Sequence, residues 1–201
     1  MARWEPNARE RLEEAALELF AEQGYDSTSV AQIADRAGLA KSTFFRHFAD
    51  KREVLSAGQE ILADLFAEGT AATPPSATPA ECISAALQSA AAVFTPQRHH
   101  IAALRRSVVA ANSELQEREL LKRARLVAVL TDALSERGAD ETVAHLAAEI
   151  GMLAFGMAFA RWSALESCAP FGPIADAALG ELLASATTLG NRATSPRHRG
   201  D

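Results

Sequence analysis

Residues 15–51 read AALELFAEQGYDSTSVAQIADRAGLAKSTFFRHFADK, and this stretch predicts three short helices separated by two turns. The first helix begins before it, because apolar residues recur at the i, i+3, i+4 spacing of one buried helical face. These residues are Leu12, Ala15, Ala16, Leu19 and Phe20. Asn7 is placed to cap the beginning of this helix, and Gly24 is placed to end it.

The second and third segments form a helix-turn-helix candidate. Ser29 and Gln32 have the spacing of a capping box, so the second helix is expected to start at Ser29 and run to Ala37. Gly38 follows, and glycine adopts the positive φ of a tight turn at little cost. The third helix is expected from Ala40 to Phe48. A short second helix and a glycine-containing turn let the third helix cross the second steeply.

The third helix, AKSTFFRHF, has two different faces. Phe44 and Phe48 are four residues apart and share the side that would pack in a core. Small polar and cationic side chains lie mostly on the other side: Lys41, Ser42, Thr43 and Arg46. Such a surface offers hydrogen-bond donors to bases and phosphates in a DNA major groove.

The charge of the chain limits where DNA could bind. The net charge is −6 and the pI about 5.4, so the protein as a whole should repel nucleic acid. Residues 36–52, however, carry five cations against one anion. The preceding helix is rich in glutamate. A DNA contact is therefore expected on one face only.

The quoted stretch resembles the N-terminal signature of the TetR family of transcriptional regulators. The matching features are the AA-x-x-LF helix, the GYD-x-TSV turn, the IA-x-x-AG helix and the TFFRHF-x-DK segment. The resemblance implies an all-α homodimer that binds a palindromic operator in double-stranded DNA. It also implies a repressor released by a small molecule. A cytoplasmic location is expected separately, because the N-terminal residues lack the apolar core of a signal peptide. The rest of the chain resembles the family only in length and helical character.

The resemblance also implies a set of DNA-contacting residues: Ser29, Lys41, Ser42, Thr43, Phe45, Arg46, His47 and Lys51. In such proteins Ser29 and Lys51 would bind phosphates, and Lys41, Ser42 and Thr43 would face base edges or nearby phosphates. His47 lies at a backbone-contact position. For Arg46 an ordinary solvated charge is the alternative. Phe45 replaces a more usual tyrosine, so its ring can pack on sugar but lacks the hydroxyl.

Beyond this segment the pattern is helical, with one clear loop from Thr70 to Pro79. Six further helices are expected: Lys51–Glu68, Glu81–Phe94, Arg98–Asn112, Glu114–Arg137, Glu141–Glu166 and Pro173–Leu189. This gives an all-α fold of nine helices. We predict a DNA-binding domain over residues 1–50, a ligand-binding and dimerisation domain over 51–190, and a flexible tail over 191–201.

The Glu141–Glu166 helix carries the candidate ligand-binding residues Met152, Phe155, Phe159 and Trp162. They fall all around the helix, so core and dimer interface are one interpretation, and the lining of an apolar ligand cavity is the other. Arg105, in a mostly apolar helix, is a candidate partner for an anionic ligand. The last two helices are expected to pack with their symmetry mates as a four-helix interface, because small residues recur along both.

Other classes of site are not indicated. Cys82 and Cys168 lack metal-ligand spacing, and the adjacent His99 and His100 point to different faces of a helix. We find no nucleophile elbow, phosphate-binding glycine loop or HExxH motif, so no catalytic residue, metal or cofactor is expected. The apolar stretch 150–160 is too short to cross a bilayer. The alternative function is a helical small-molecule-binding protein or enzyme with a vestigial DNA-binding module.

Overall fold

The computed structural model describes residues 7–56, 58–166 and 169–193, and within these ranges the chain forms α-helices and two short 3-10 turns but no strand. The prediction of an all-α fold with nine helices is confirmed for this part of the chain. The helices are α1 Ala8–Gln23, α2 Val30–Arg36, α3 Lys41–His47, α4 Gln59–Ala71, α5 Pro79–Ala90, α6 Pro96–Ala110, α7 Ser113–Glu136, α8 Glu141–Trp162 and α9 Phe171–Ala193.

The two predicted N-cap residues both lie directly before the helices that they were expected to start. Ser29 and Gln32 form the expected capping box at the start of α2. Asn7 is the N-cap residue of α1, as predicted, and its carbonyl accepts the first bond of the helix from the Arg11 N–H at 3.0 Å. It nevertheless adopts the left-handed conformation with φ 70°, and its side chain makes no capping hydrogen bond. Most other helix ends lie within a few residues of their expected positions.

The fourth helix begins later than its apolar pattern predicts. Instead of a helix from Lys51, residues Glu53–Ser56 form a 3-10 turn, and α4 starts at Gln59. Gly58 has φ 81°, which an α-helix cannot contain. The positive φ of this glycine therefore separates the turn from α4, and Lys51 lies in the connection that follows α3.

The helices group into two compact units. The first contains α1 to α3, α4 up to Asp64, α6, and α7 up to Leu126. The second contains the rest of α4 and α7 together with α5, α8 and α9. This spatial grouping differs from a division at residue 50, because α6 and half of α7 join the N-terminal helices. The core of the first unit accordingly includes Val108 and Leu115 beside Phe20, Ile33 and Phe44.

In the second unit α8 packs against α5 and α9. The approach to α5 is close, because a Cβ atom on Gly151 would lie 2.8 Å from Ile83 Cγ2. The α8 helix has 22 residues and is apolar enough, by length and composition alone, to cross a bilayer. The argument that its apolar stretch is too short is thus wrong for the whole helix. Its buried side chains, among them Met152 and Trp162, instead form part of a protein core.

The predicted tail starts at residue 191, whereas α9 continues to Ala193. Residues 194–201 lie outside the described residues, as does Cys168. The other cysteine, Cys82, is buried in α5, where its Sγ lies 3.2 Å from Thr73 Oγ1.

Candidate nucleic-acid interface

The third helix separates a core face from an outward face. Phe44 is fully buried, and its ring lies 5.4 Å from that of Phe48, which is also buried. Phe45 on the other side is 51% exposed. Of the other residues predicted to contact DNA on α3, Lys41, Ser42 and Arg46 are exposed, and Thr43 and His47 are half-buried. The helix thus presents every side chain except that of Phe44 at or near the surface.

The turn between α2 and α3 is a Schellman motif that fixes the direction of α3. The Gly38 N–H donates to the Asp35 carbonyl at 2.9 Å, and the Leu39 N–H donates to the Ala34 carbonyl at 2.8 Å. Gly38 has φ 65°, and a Cβ there would also lie 3.0 Å from the Arg11 guanidinium. The positive φ favours glycine at this position, whereas the end of the flexible Arg11 side chain could move aside for a Cβ atom.

Ser29 lies exposed at the N-terminus of α2, where helix N–H groups favour anions. Its Oγ accepts a hydrogen bond from the Gln32 N–H at 3.3 Å, and its own N–H donates to Gln32 Oε1 at 2.8 Å. The capping box holds the serine in place. At α3 the corresponding position is Ala40, which makes no side-chain capping bond, so α3 depends more on its packed phenylalanines.

Lys51 is directed inward, towards the loop between α1 and α2. Its ammonium group donates to the carbonyl oxygens of Tyr25 at 2.7 Å, Thr28 at 3.1 Å and Asp26 at 3.3 Å. The same nitrogen lies 4.3 Å from the centre of the Tyr25 ring. The ammonium group of Lys51 therefore binds backbone carbonyls of the protein itself, although the sequence predicts that this residue binds a phosphate.

Two more cations of the 36–52 segment are paired with carboxylates. Arg36 bonds to Glu22 at 2.7 Å and Glu18 at 3.2 Å, and these carboxylates raise the pKa of its guanidinium further. Arg52 pairs with Asp50 at 2.9 Å and lies 3.5 Å from Glu114. The paired carboxylates offset the charge of these two partly exposed arginines, so the net positive charge on the outside of this segment comes mainly from Lys41 and Arg46 of α3.

Tyr25 is a buried residue of the loop between α1 and α2. Its side chain is buried, its ring meets Phe20 edge-on at 5.0 Å, and its hydroxyl has no hydrogen-bond partner within the described residues. Burial, and to a smaller extent the carboxylate of Glu114, raise the pKa of Tyr25 to about 12. The phenol is therefore neutral at physiological pH and acts as a packing group.

The candidate ligand-binding residues of α8 belong to the second unit, where three of them join one aromatic cluster. Phe94 is its central member: it stacks on Phe171 at 3.9 Å and lies 5.3 Å from Trp162. Phe155 and Phe159 also contact Phe94, at 5.7 and 6.1 Å. The Trp162 indole N–H donates to the Ala169 carbonyl at 2.7 Å, so its polar atom is satisfied. Met152 is buried in the same helix.

Arg105 lies in the first unit and is not part of that cluster. It forms an ion pair with Glu119 of α7 and is only 13% exposed. Burial and the nearby Arg105 lower the pKa of Lys122 to about 8. The structure thus gives Arg105 an internal carboxylate partner, in a charged group between α6 and α7.

Three residues make structural contacts that the sequence pattern did not predict: Arg11, Phe94 and Phe171. Arg11 donates to the carbonyl of Ala37 at the end of α2, which no local pattern indicates. Phe94 and Phe171 lie in turns or at a helix start, yet they are the centre of the aromatic cluster. Phe94 was expected at the end of a helix and Phe171 between two helices, so neither was considered for a site, but two large aromatic residues beside helix ends indicate burial.

The segment that contains α1 to α3 is similar in sequence to known proteins. The family model of bacterial regulatory proteins of the TetR family matches residues 12–57, which include α2, α3 and all but the first four residues of α1. The N-terminal part of the chain is therefore similar to the DNA-binding segment of that family. The HTH-type transcriptional regulator TcmR of Streptomyces glaucescens is 37% identical to this chain over 81 residues. That alignment covers 40% of this chain and 36% of TcmR, so the chain spans about a third of this relative.

TetR-family regulators of known structure share the fold over most of the chain. The fatty acid degradation regulator FadR from Bacillus halodurans superposes with a TM-score of 0.55 at 18% identity, over 90% of this chain and 97% of that one. Thermus thermophilus FadR, a TetR-family repressor solved with lauroyl-CoA, gives a TM-score of 0.51 at 22% identity, over 87% and 93% of the two chains. At these identities the likeness concerns the fold.

Proposed function

We propose that the protein is a transcriptional regulator that binds a palindromic operator in double-stranded DNA. The observation that carries this proposal is the orientation of α3, which buries Phe44 and turns its polar residues outward. A helix presented in this way fits the major groove, with its N-terminal residues near base edges. The TetR-family segment at residues 12–57 supports the same function.

The chemistry of α3 suggests a division of roles in DNA binding. Lys41 and Arg46 supply the cationic groups for phosphates or guanine edges, and Ser42 and Thr43 supply neutral hydrogen bonds. The exposed Phe45 ring offers an apolar surface to a sugar or a thymine methyl group. His47 and Ser29 lie at the edges of this surface, where backbone phosphates would pass.

Large apolar side chains exposed on α8 and small residues exposed on α9 support a homodimer. Val143, Leu146 and Leu153 are 46%, 59% and 49% exposed, although they are large apolar side chains. Val143 and Leu146 border an apolar groove of about 300 Å³ between α5, α8 and α9. On α9 the exposed residues Ala177, Gly180 and Ala184 are small and three or four positions apart. A second copy packed on these faces would bury the leucines and present two recognition helices to DNA.

The small-molecule site is proposed at the aromatic cluster of the second unit. Phe155 and Phe159 are half-buried, and with Phe94 they offer an apolar surface that suits a largely apolar effector. The lauroyl-CoA bound to Thermus thermophilus FadR is a practical first probe. If the effector favours a conformation that binds DNA weakly, DNA must weaken effector binding by the same factor, which is the behaviour of a releasable repressor.

The decisive experiment selects DNA from a random pool of duplexes with the purified protein. We expect enrichment of an inverted repeat whose half-sites are about one helical turn apart, on the order of 34–36 Å, or a multiple of it. Lys41→Ala should abolish the enrichment at the same protein concentration. A pool that remains random after repeated selection would overturn the proposal. A DNA target also implies residence in the cytoplasm.

The second candidate is a helical small-molecule-binding protein or enzyme with a vestigial DNA-binding module. It is favoured by the internal partners of Arg36, Lys51 and Arg52, which reduce the cationic surface of an acidic protein. Binding or turnover of a small molecule without any DNA enrichment would support it. Release of bound duplex by lauroyl-CoA would instead support a regulator.

A further inference from the structure

The ammonium group of Lys51 meets three backbone carbonyls of the α1–α2 loop. The acceptors are Tyr25, Asp26 and Thr28, at 2.7, 3.3 and 3.1 Å. An ammonium group has three N–H donors, so all three are used within the protein. The Tyr25 ring, 4.3 Å away, adds a cation–π contact on the same nitrogen.

The segment that carries Lys51 is itself held in place. Asp50 Oδ1 accepts hydrogen bonds from the N–H groups of Arg52 at 2.8 Å and Glu53 at 3.0 Å. The Glu53 carboxylate in turn accepts from the N–H of Ala49. These bonds fix the backbone on both sides of Lys51, so its side chain is directed towards the loop before any DNA is present.

The loop that receives Lys51 sets the position of Ser29. Thr28 donates from its hydroxyl to the Gly24 carbonyl at 2.8 Å, which ties the loop to the end of α1. Lys51 binds the Thr28 carbonyl, and this carbonyl is joined directly to the N–H of Ser29, the N-cap of α2. The lysine therefore connects the end of α3 to the first turn of α2.

We propose that Lys51 is a positioning residue of the DNA interface and that its charge is committed to the α1–α2 loop rather than to a phosphate. It holds Ser29 and the first turn of α2 in register with α3. Its value for DNA binding rests on the proposed function. Its structural role can be tested without DNA, so the two ideas can fail separately.

The first measurement is amide hydrogen exchange of the free protein over residues 24–33. Lys51→Met keeps most of the aliphatic side chain and removes the ammonium group. We expect exchange in this loop to rise by about tenfold or more, because the bonds from a charged donor are removed. Arg46→Met is the matched control, since it removes a neighbouring exposed cation. It should leave exchange in the loop unchanged.

The second measurement is the salt dependence of binding to a mixed-sequence DNA duplex, followed by fluorescence anisotropy. Removing a phosphate ligand reduces the slope of log K against log salt by about 0.9. We expect this reduction for Arg46→Met. For Lys51→Met we expect weaker binding at every salt concentration with the wild-type slope, because α2 is misplaced while every bond to phosphate is kept.

The outcomes separate the possibilities. Unchanged exchange in Lys51→Met would overturn the positioning role. A slope reduced as in Arg46→Met would also overturn it and would identify Lys51 as a phosphate ligand. If the wild type binds no duplex, the proposed function fails, and loop exchange alone decides the role of Lys51. If Lys51→Met does not fold, Lys51→Arg replaces it, because a planar guanidinium cannot reproduce three converging bonds and should also raise exchange in the loop.

Discussion

The carboxylate of Glu13 in α1 lies 3.5 Å from the guanidinium of Arg98 in α6, and the two side chains differ in exposure, 10% for Glu13 against 35% for Arg98. Burial raises the pKa of Glu13, although Arg98, Arg105 and further cations lower it. The ion pair thus joins α1 to α6 through a carboxylate whose loss of hydration outweighs its attraction to its partners.

This relationship predicts that Glu13→Gln stabilises the protein near neutral pH. The folded state binds the Glu13 proton more tightly than the unfolded state, so the wild type becomes relatively more stable as the pH falls through the raised pKa. Glutamine lacks that gain. The advantage of the variant in melting temperature should therefore shrink as the pH falls towards about 4. Thermal melts over a pH series measure this.

The control for this experiment is Glu14→Gln, at the exposed position next to Glu13. It removes the same charge without relieving a buried carboxylate, so its effect on the melting temperature should be small and should not follow the same pH trend. A Glu13→Gln variant that is less stable than the wild type at neutral pH would contradict the prediction. It would mean that the bond to Arg98 exceeds the cost of burial.

Two adjacent phenylalanines of α3 should respond differently to truncation. Phe44 is fully buried, so Phe44→Ala should lower the free energy of unfolding by about 3–5 kcal/mol through reduced burial and a cavity. Phe45 is 51% exposed, so Phe45→Ala should change it by no more than about 0.5 kcal/mol. Urea denaturation followed by circular dichroism gives both values. Similar losses of stability in the two variants would mean that α3 does not have this orientation.

The structure around residues 8–48 was predictable because its local signals agree with one another. The capping box of Ser29 and Gln32 marks the start of α2, and Gly38 marks its end. The spacing of Phe44 and Phe48 then gives the buried face of α3. Each of these features depends on residues close in sequence, so the pattern alone decides them.

What could not be predicted depends on contacts distant in sequence. Lys51 binds the carbonyl of Tyr25, 26 residues earlier, and no sequence pattern distinguishes such a lysine from a phosphate ligand. Arg105 likewise finds Glu119 only after α6 and α7 have paired. The late start of α4 had a local cause, Gly58, but the continuing apolar pattern concealed it.

The outward cations of α3 should determine the salt dependence of DNA binding. Lys41→Ala and Arg46→Ala should each reduce the slope of log K against log salt by about 0.9 for each phosphate that the side chain binds. Arg36→Ala is the control, because its guanidinium already binds Glu18 and Glu22. Anisotropy titrations on one duplex at several salt concentrations measure all three. An equal reduction in Arg36→Ala would show that charge acts at a distance rather than by direct binding.

Substitution of Gly180 tests the dimer interface without disturbing the fold of the single chain. Apart from its chain neighbours and the backbone of its own helix, no atom of the described residues lies within 4 Å of a Cβ built on this exposed α9 residue. Larger side chains therefore fit the single chain and favour its helix. In a close-packed interface Gly180→Leu should cost about 1–3 kcal/mol per side, which weakens dimerisation by tenfold or more. Gly180→Ala should weaken it less. Sedimentation velocity measures both, and a leucine variant that dimerises like the wild type would exclude this face.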